Sequence, residues 1–384
     1  MSASANLEGA LPASWRDRFR AWREGLTASP GFRRWAAAFP LTRPLARRRA
    51  RALFDLCAGF IYSQVLLACV RLRLFDLLRD GPATEQALAA RMDLPAEGAA
   101  RLLRAAAALD LLALRDDGRW ALGPLGAAMI DNPGIAAMVE HHALLYADLA
   151  DPVALLRRPR GGNALSGYWA YAGAETPGEL QRDRTADYTA LMAASQPMVA
   201  EEVIAAYDFR QHRCLLDVGG GSGAFLAAVA AAAPELRLML FDLPAVAEQG
   251  RERFARLRLE GRATAIGGDF ATDKLPQGAD LVSLVRVLHD HDDEVVMGLL
   301  RSVRAALPPG GRLLVAEPMS GTPGAEPAGD AYFGIYLLAM GRGRPRRAEE
   351  LQAMLRAAGF AQSRLCATRT PLLTRVLVAD VTSS

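Results

Sequence analysis

The order of elements in this 384-residue chain predicts an α/β fold, a twisted parallel sheet with ligand-binding residues at its strand ends, preceded by an all-helical, winged-helix-like domain. Three observations predict it. The apolar run 214–216 passes through a glycine turn, Asp217-Val218-Gly219-Gly220-Gly221-Ser222-Gly223, into the alanine-rich segment 224–233. Further apolar runs at 236–241, 263–266, 281–288 and 312–316 alternate with helical stretches, and 362–368 with 376–381 reads as a closing hairpin. Residues 52–129 are instead compactly helical, with helices expected at 54–78, 84–92 and 95–114 and a turn at Asp116-Asp117-Gly118 between apolar flanks.

Glycines at 219, 221 and 223 let the backbone turn sharply and approach a ligand, with the N–H groups of the helix start aimed at it. A dinucleotide fingerprint is G-x-G-x-x-G, whereas this turn is G-x-G-x-G with Asp217 two residues ahead of the first glycine. A carboxylate there repels phosphates and suits an ammonium or sulfonium group, so S-adenosylmethionine (SAM) fits better than NAD. The next run ends in Asp242-Leu243-Pro244, where a ribose diol would be gripped. The third leads into Gly267-Gly268-Asp269-Phe270, with Asp269 suited to accept from an adenine amine and Phe270 to pack on the ring. Taken singly, each aspartate reads as a cap or turn former. Three acids at successive strand ends read as a cofactor site.

The motifs LLDVGGGSG at 215–223, FDLP at 241–244, GGDF at 267–270 and LHDHDDE at 288–294 resemble, in order and spacing, those of the class I SAM-dependent methyltransferases. Within that class the chain is similar to the plant-type O-methyltransferase family, from near residue 50 to the end. Segments 60–78, 140–152 and 329–346 resemble the branch of the family that acts on 1-hydroxycarotenoids. The resemblance implies a Rossmann-like SAM-binding sheet from 201 to 384 and, over 52–200, a dimerisation domain that covers the partner's substrate pocket. A homodimer with SAM as methyl donor and no metal is the expectation. Met192 and Ser195, in a helical stretch at 186–207, match family positions beside cofactor and substrate, and Arg286 joins the cofactor set.

Composition is compatible with two cores: 51% of the residues are hydrophobic. Cysteines 57, 69, 214 and 366 show no paired spacing, so neither a disulfide framework nor a zinc site is indicated, and a cytoplasmic location is expected. No leader with a cleavage site is read at the start, and the apolar stretch 53–70 carries Asp55, Ser63 and Gln64, which makes it a buried or dimer-forming helix. Lysine occurs once, at Lys274, so the choice of arginine elsewhere carries little meaning.

Charge is unevenly placed. Residues 1–51 hold eleven arginines against Glu8, Asp17 and Glu24, a net of +8, which leaves −5 for the remainder of the +3 total. Trp15, Phe19, Trp22 and Leu26, then Phe32, Trp35 and Phe39, recur at helical spacing on either side of Pro30. Two amphipathic helices are expected, and two uses stand side by side: contact with an anionic inner or intracytoplasmic membrane surface, or docking on the enzyme or its twin.

A winged helix binds DNA in many proteins, so a SAM-binding regulator is a rival reading. The would-be recognition helix, 97–109, offers only Arg101 and Arg104 among alanines and leucines, too apolar for a groove reader. No nucleic-acid partner is expected.

Chemistry is expected at the end of the fourth strand, at His289-Asp290-His291-Asp292-Asp293-Glu294. Histidine is the usual base for drawing a proton from a hydroxyl. The resemblance makes His289 the catalytic base and Glu317, closing the fifth strand, the glutamate that orients it, with Asp290 touching substrate. Residues 292–294 read as a helix start, with Asp292 or Asp293 as N-cap. A metal pair from His289 and His291 ranks below this, because methyl transfer needs no metal. His141 and His142 read as core or interface histidines.

Two departures from the plant pattern stand out. Counting back from Gly359-Phe360, Pro345 occupies the place of the second glutamate that flanks the family's histidine, and Met340 the place of a polar substrate contact. With Tyr332, Phe333 and Tyr336 the acceptor pocket is apolar and aromatic, which favours a long hydrocarbon carrying a hydroxyl, a 1-hydroxycarotenoid, over a phenol. A small-phenol O-methyltransferase and a bacteriochlorophyll-pigment C-methyltransferase are the rivals of the same fold.

Overall fold

The computed structural model describes residues 14–157, 162–168 and 182–382, the side chains of 182–190 excepted. The first thirteen residues of the basic extension, and 158–161 and 169–181 of the helical domain, lie outside the described residues. Three helices open the chain: α1 (Trp15–Ala28), α2 (Pro30–Ala38) and the long α3 (Arg43–Arg71). Only Leu67 and Cys69 of α3 are buried, while Leu53, Phe54, Leu56, Phe60 and Ile61 are exposed. The helix expected at 54–78 therefore starts earlier and stops sooner, since Arg73 takes a left-handed φ of 53°.

Helices Glu85–Arg91 and Ala96–Ala108 follow, then β1 (Leu112–Leu114) and β2 (Trp120–Leu122), an antiparallel pair. The helix expected at 95–114 is thus cut short: Asp110 adopts φ 57° and Leu112–Leu114 becomes one strand of the wing. Leu74, Phe75, Leu88, Leu103, Leu112 and Trp120 close this domain's core.

The helix Arg182–Ala206 leads into the second half, packing on both Pro133–Asp148 and Ala224–Ala232. There β3 (Cys214–Val218), β4 (Arg237–Asp242), β5 (Ala263–Gly267), β6 (Leu281–Val285), β7 (Arg312–Glu317), β8 (Gln362–Cys366) and β9 (Arg375–Asp380) form one sheet in the order β5-β4-β3-β6-β7-β9-β8. All neighbours are parallel except β9, which runs antiparallel to both β7 and β8. Alternation sorts the central strands: Leu215, Leu238 and Leu240 face a layer with Val203, Phe225 and Phe254, while Leu216, Val282 and Leu284 face Val296, Leu300 and Leu351. Strand order reverses between β3 and β6, and a crevice opens at their carboxyl ends.

Candidate active site

The crevice is a cavity of about 340 Å³ lined by Asp217, the glycine turn, Asp242, Asp269 and Asp290, among others. Gly219, Gly221 and Gly223 all take left-handed φ, at 69°, 61° and 73°. Space is tightest at a glycine the spacing does not single out: a Cβ on Gly220 would lie 2.2 Å from Asp217 Oδ2, while one on Gly223 would lie 2.9 Å from the Phe254 ring and Gly221 faces open space.

Asp217 is fully buried. Its Oδ1 accepts from the Ser283 hydroxyl at 2.6 Å, and its Oδ2 has no hydrogen-bond partner among the described residues. Burial pushes its pKa up to about 7. Asp242 accepts from the backbone N–H groups of Gly221 and Leu243, both at 2.7 Å, and burial lifts its pKa to about 6 against those two bonds. Leu243 and Phe270 line the cavity with Asp269, whose Oδ1 accepts from the N–H of Ala271 at 2.9 Å. A buried acid and a half-buried one beside a glycine cradle suit a cation bearing hydroxyl donors.

Arg286 also lines the cavity, held at φ 60° just past the end of β6. Its guanidinium donates to Ser195 Oγ at 2.8 Å and reaches Met192 Sδ at 2.9 Å. Met192 faces the cavity, but Ser195 does not, so Ser195 reaches the site through Arg286. Gln196 does line it, one helical turn after Met192. Periodicity could have found it, since residues four apart share a helix face.

Strand β6 stops at Val285, earlier than expected, and His289 sits on a 3-10 turn, Leu288–Asp290. Glu317, at the end of β7, accepts from the N–H groups of Val287 and Leu288 at 2.9 and 2.7 Å through one oxygen, and binds His289 Nδ1 through the other. His289 Nε2 lies 3.1 Å from Asp290 Oδ1, an oxygen with no hydrogen-bond partner among the described residues. Burial alone would lower the His289 pKa, yet the carboxylates of Asp290 and Glu317 outweigh it and hold it above the usual histidine value. Burial lifts Asp290 to about 6, partly offset by His289. Asp290 and His291 line the cavity, while His289 lies behind them.

His291 sets its ring edge-on to Phe270 at 5.2 Å, and burial lowers its pKa to about 4, so it stays neutral. Asp292 is the N-cap residue of the helix Asp293–Ala306, but its side chain makes no cap bond and instead accepts from Gly343 N at 3.1 Å. Asp293 pairs with Arg344 and Arg346. The sequence reading passed over Arg346, which is buried and donates to the carbonyls of Leu288 at 2.6 Å and His291 at 2.7 Å. It grips both ends of the turn that carries His289. Its neighbour Pro345 had drawn attention as a loss, and no sequence signal marks a buried arginine.

A family model described as the O-methyltransferase domain matches residues 146–361, and one described as the O-methyltransferase dimerisation domain matches residues 54–132. The chain belongs to the O-methyltransferase family. Demethylspheroidene O-methyltransferase of Cereibacter sphaeroides is 46% identical over 359 residues, 92% of this chain and 93% of that protein. The protein of the same name from Rhodobacter capsulatus is 44% identical over 345 residues, 89% of this chain and 84% of its own. Among solved structures, CalO1, a methyltransferase in calicheamicin biosynthesis in its SAH-bound form, matches with a TM-score of 0.70 at 29% identity, over 88% of this chain and 98% of its own.

This O-methyltransferase is a SAM-dependent enzyme of the class I fold with an N-terminal helical dimerisation domain, and its cavity passes the test of that cofactor. The unpartnered buried oxygen of Asp217 and the open space at Gly221 fit a cationic, hydroxyl-bearing donor. The regulator reading falls away with family membership; the would-be recognition helix Ala96–Ala108 buries Ala99, Leu103 and Ala106 in its own core.

In this O-methyltransferase the aromatic residues expected around the acceptor lie away from the cofactor cavity. Tyr332, Phe333, Tyr336 and Met340 do not line the cavity; they pack into a cluster with Leu145, Leu155 and Leu165. Tyr332 lies within a π-helical turn, Pro327–Phe333, and its hydroxyl bonds His142 Nε2 at 2.7 Å, while that of Tyr336 bonds His141 Nε2 at 2.7 Å. Phe333 sets its ring edge-on to His289 at 5.7 Å. These apolar residues pack as core, joined to His289 through Phe333.

Proposed function

We propose that the chain transfers the methyl of SAM to the hydroxyl of an apolar acceptor, the tertiary 1-hydroxyl of an acyclic carotenoid. What supports the acceptor class is identity of 46% and 44%, over 92% and 89% of this chain, to two bacterial carotenoid-pathway relatives.

SAM supplies an electrophilic methyl when bound. Asp217, Asp242 and Leu243, the turn at Gly219, Gly221 and Gly223, and Asp269 with Phe270 would hold it, with Arg286 and Ser195 at the Met192 side. Glu317 accepts from His289 Nδ1 and so leaves Nε2 as the atom that takes the acceptor's proton. The open oxygen of Asp290 beside Nε2 orients that hydroxyl and stabilises the imidazolium. A second carboxylate therefore flanks the histidine even though Pro345 stands where the family pattern has glutamate. A tertiary alcohol is a poor acid, so alignment contributes more than deprotonation.

Incubating the purified enzyme with methyl-labelled SAM and extracted carotenoids, bacteriochlorophyll pigments or phenols tests the reading. Label is expected in the hydroxycarotenoid fraction; label only in phenols or chlorins would overturn it. The dimerisation domain makes a homodimer the working assembly. A cytoplasmic enzyme at the face of the inner or intracytoplasmic membrane, touching it through residues 1–51, fits an acceptor insoluble in water.

A further inference from the structure

Residues 14–58 contain no buried residue. They are nonetheless well-formed helices: Ser14 and Asp17 make a capping box for α1, and Ser29 with Pro30 starts α2. Phe19 meets Trp22 at 5.7 Å, Phe32 meets Trp35 at 5.5 Å, and Trp35 stacks on Phe39 at 5.1 Å. These rings face outward, with Trp15 73%, Trp22 61% and Trp35 51% exposed. Of the eleven arginines between 16 and 51, only Arg51 has an acidic partner among the described residues, Asp55 at 3.9 Å.

An aromatic stripe this exposed needs a cover, and charge selects which. Two arms spanning 14–51, each of net +9, brought together about a dimer axis would face each other with two acids apiece to offset eleven arginines. An anionic surface answers every arginine. The exposed apolar residues further along α3, Phe54 to Ile61, fall inside the dimerisation-domain match, which offers a second copy as their cover.

We infer that residues 14–51 are an interfacial arm that lays its Trp/Phe stripe among the headgroups of an anionic lipid bilayer. At a rise of about 1.5 Å per residue, α1 spans roughly 21 Å and α2 roughly 14 Å, both short of a hydrocarbon core of about 30 Å, so they lie in the plane of the surface. The binding argument stands on the arm alone; its use, collecting a water-insoluble acceptor, rests on the proposed function.

The test is co-sedimentation of the full-length enzyme with phosphatidylglycerol–phosphatidylcholine vesicles and with pure phosphatidylcholine vesicles. Binding at least ~10-fold stronger to the anionic vesicles, and weakened by salt, is expected. Trp15→Ser/Trp22→Ser/Trp35→Ser should lower binding by ~10-fold or more while leaving dimer mass and methyl transfer to detergent-solubilised acceptor unchanged. If that variant fails to fold, Arg47→Glu/Arg48→Glu/Arg49→Glu, all at exposed positions, must abolish binding instead. Equal binding to both vesicles, none to either, or a variant that loses its dimer yet still sediments overturns the inference. A wild-type enzyme that binds vesicles but labels no carotenoid in detergent would count against the acceptor and not against the arm.

Discussion

Glu317 holds His289 from two directions, taking Nδ1 with one carboxylate oxygen and the N–H groups of Val287 and Leu288 with the other. The glutamate thus sets both the tautomer of the ring and the path of the backbone beneath it. His289→Ala should lower methyl transfer by ~10²-fold or more, as expected for loss of a general base, with SAM affinity little changed. Near wild-type turnover would end the assignment.

The same pair sets a pH dependence. The His289 pKa lies above the ordinary histidine value because two carboxylates outweigh burial, so the neutral, proton-accepting form grows only as pH rises past that raised value. The acid limb of kcat/KM should therefore fall above 6.5, and Glu317→Gln should shift it downward while reducing kcat. The raised pKa also makes this pair's contribution to stability full below 6.5 and lost as pH climbs through the folded value. A limb that stays put in the variant would show that the glutamate does not govern this proton.

Asp217 gives a second, opposite signature. Burial holds its carboxyl at about 7, and a bound sulfonium would favour the ionised form. Binding of SAM should expel a proton near pH 6.5 and weaken as pH falls below about 7, which calorimetry in buffers of different ionisation enthalpy reads directly. Without ligand, the folded chain binds more protons at this site than the unfolded chain between 3.8 and about 7, so the site favours the fold as pH falls through that window.

Asp242→Ala should weaken SAM binding. It removes the acceptor of the Gly221 and Leu243 N–H groups as well as the group offered to a diol, each unpaired partner costing roughly 1–3 kcal/mol. An unchanged dissociation constant by calorimetry would contradict the cofactor placement.

Arg346→Met removes the guanidinium donor from the carbonyls of Leu288 and His291, leaving the first with only the His291 N–H at 3.3 Å. A loss of roughly 2–4 kcal/mol in unfolding free energy is expected from the two, together with a kcat decrease larger than any change in KM, since the turn bearing His289 loosens. Arg346→Lys, which keeps the charge but not the fork, should recover part of both. If turnover survives intact in a folded Met variant, Glu317 alone positions the turn.

Much of the catalytic half was legible because parallel strands buried on both faces are continuous apolar runs, and the acids at their ends interrupt those runs. Asp217, Asp242, Asp269 and Asp290 each follow such a run, and all four meet at one cavity. Misjudged boundaries share a cause: Arg73, Asp110 and Arg286 take left-handed conformations without being glycine, which no local preference announces. The aromatic run from Tyr332 to Met340 packs away from the cofactor cavity, and a helix-spaced aromatic run reads alike whether it lines a pocket or fills a core.

By itself the sequence determined the sheet, the glycine turn, the acidic strand tips, the identity of the histidine and the two aromatic stripes of the arm, because each depends on residues near one another in the chain. Tertiary structure alone decided that Gly220 and Gly223 leave no room for a side chain, that Ser195 accepts from Arg286, and that Arg346 grips the turn bearing His289 from 58 residues away. It also decided that an oxygen of Asp290 lies 3.1 Å from His289 Nε2. Those relationships are close approaches between distant segments, and packing sets them where periodicity carries no information.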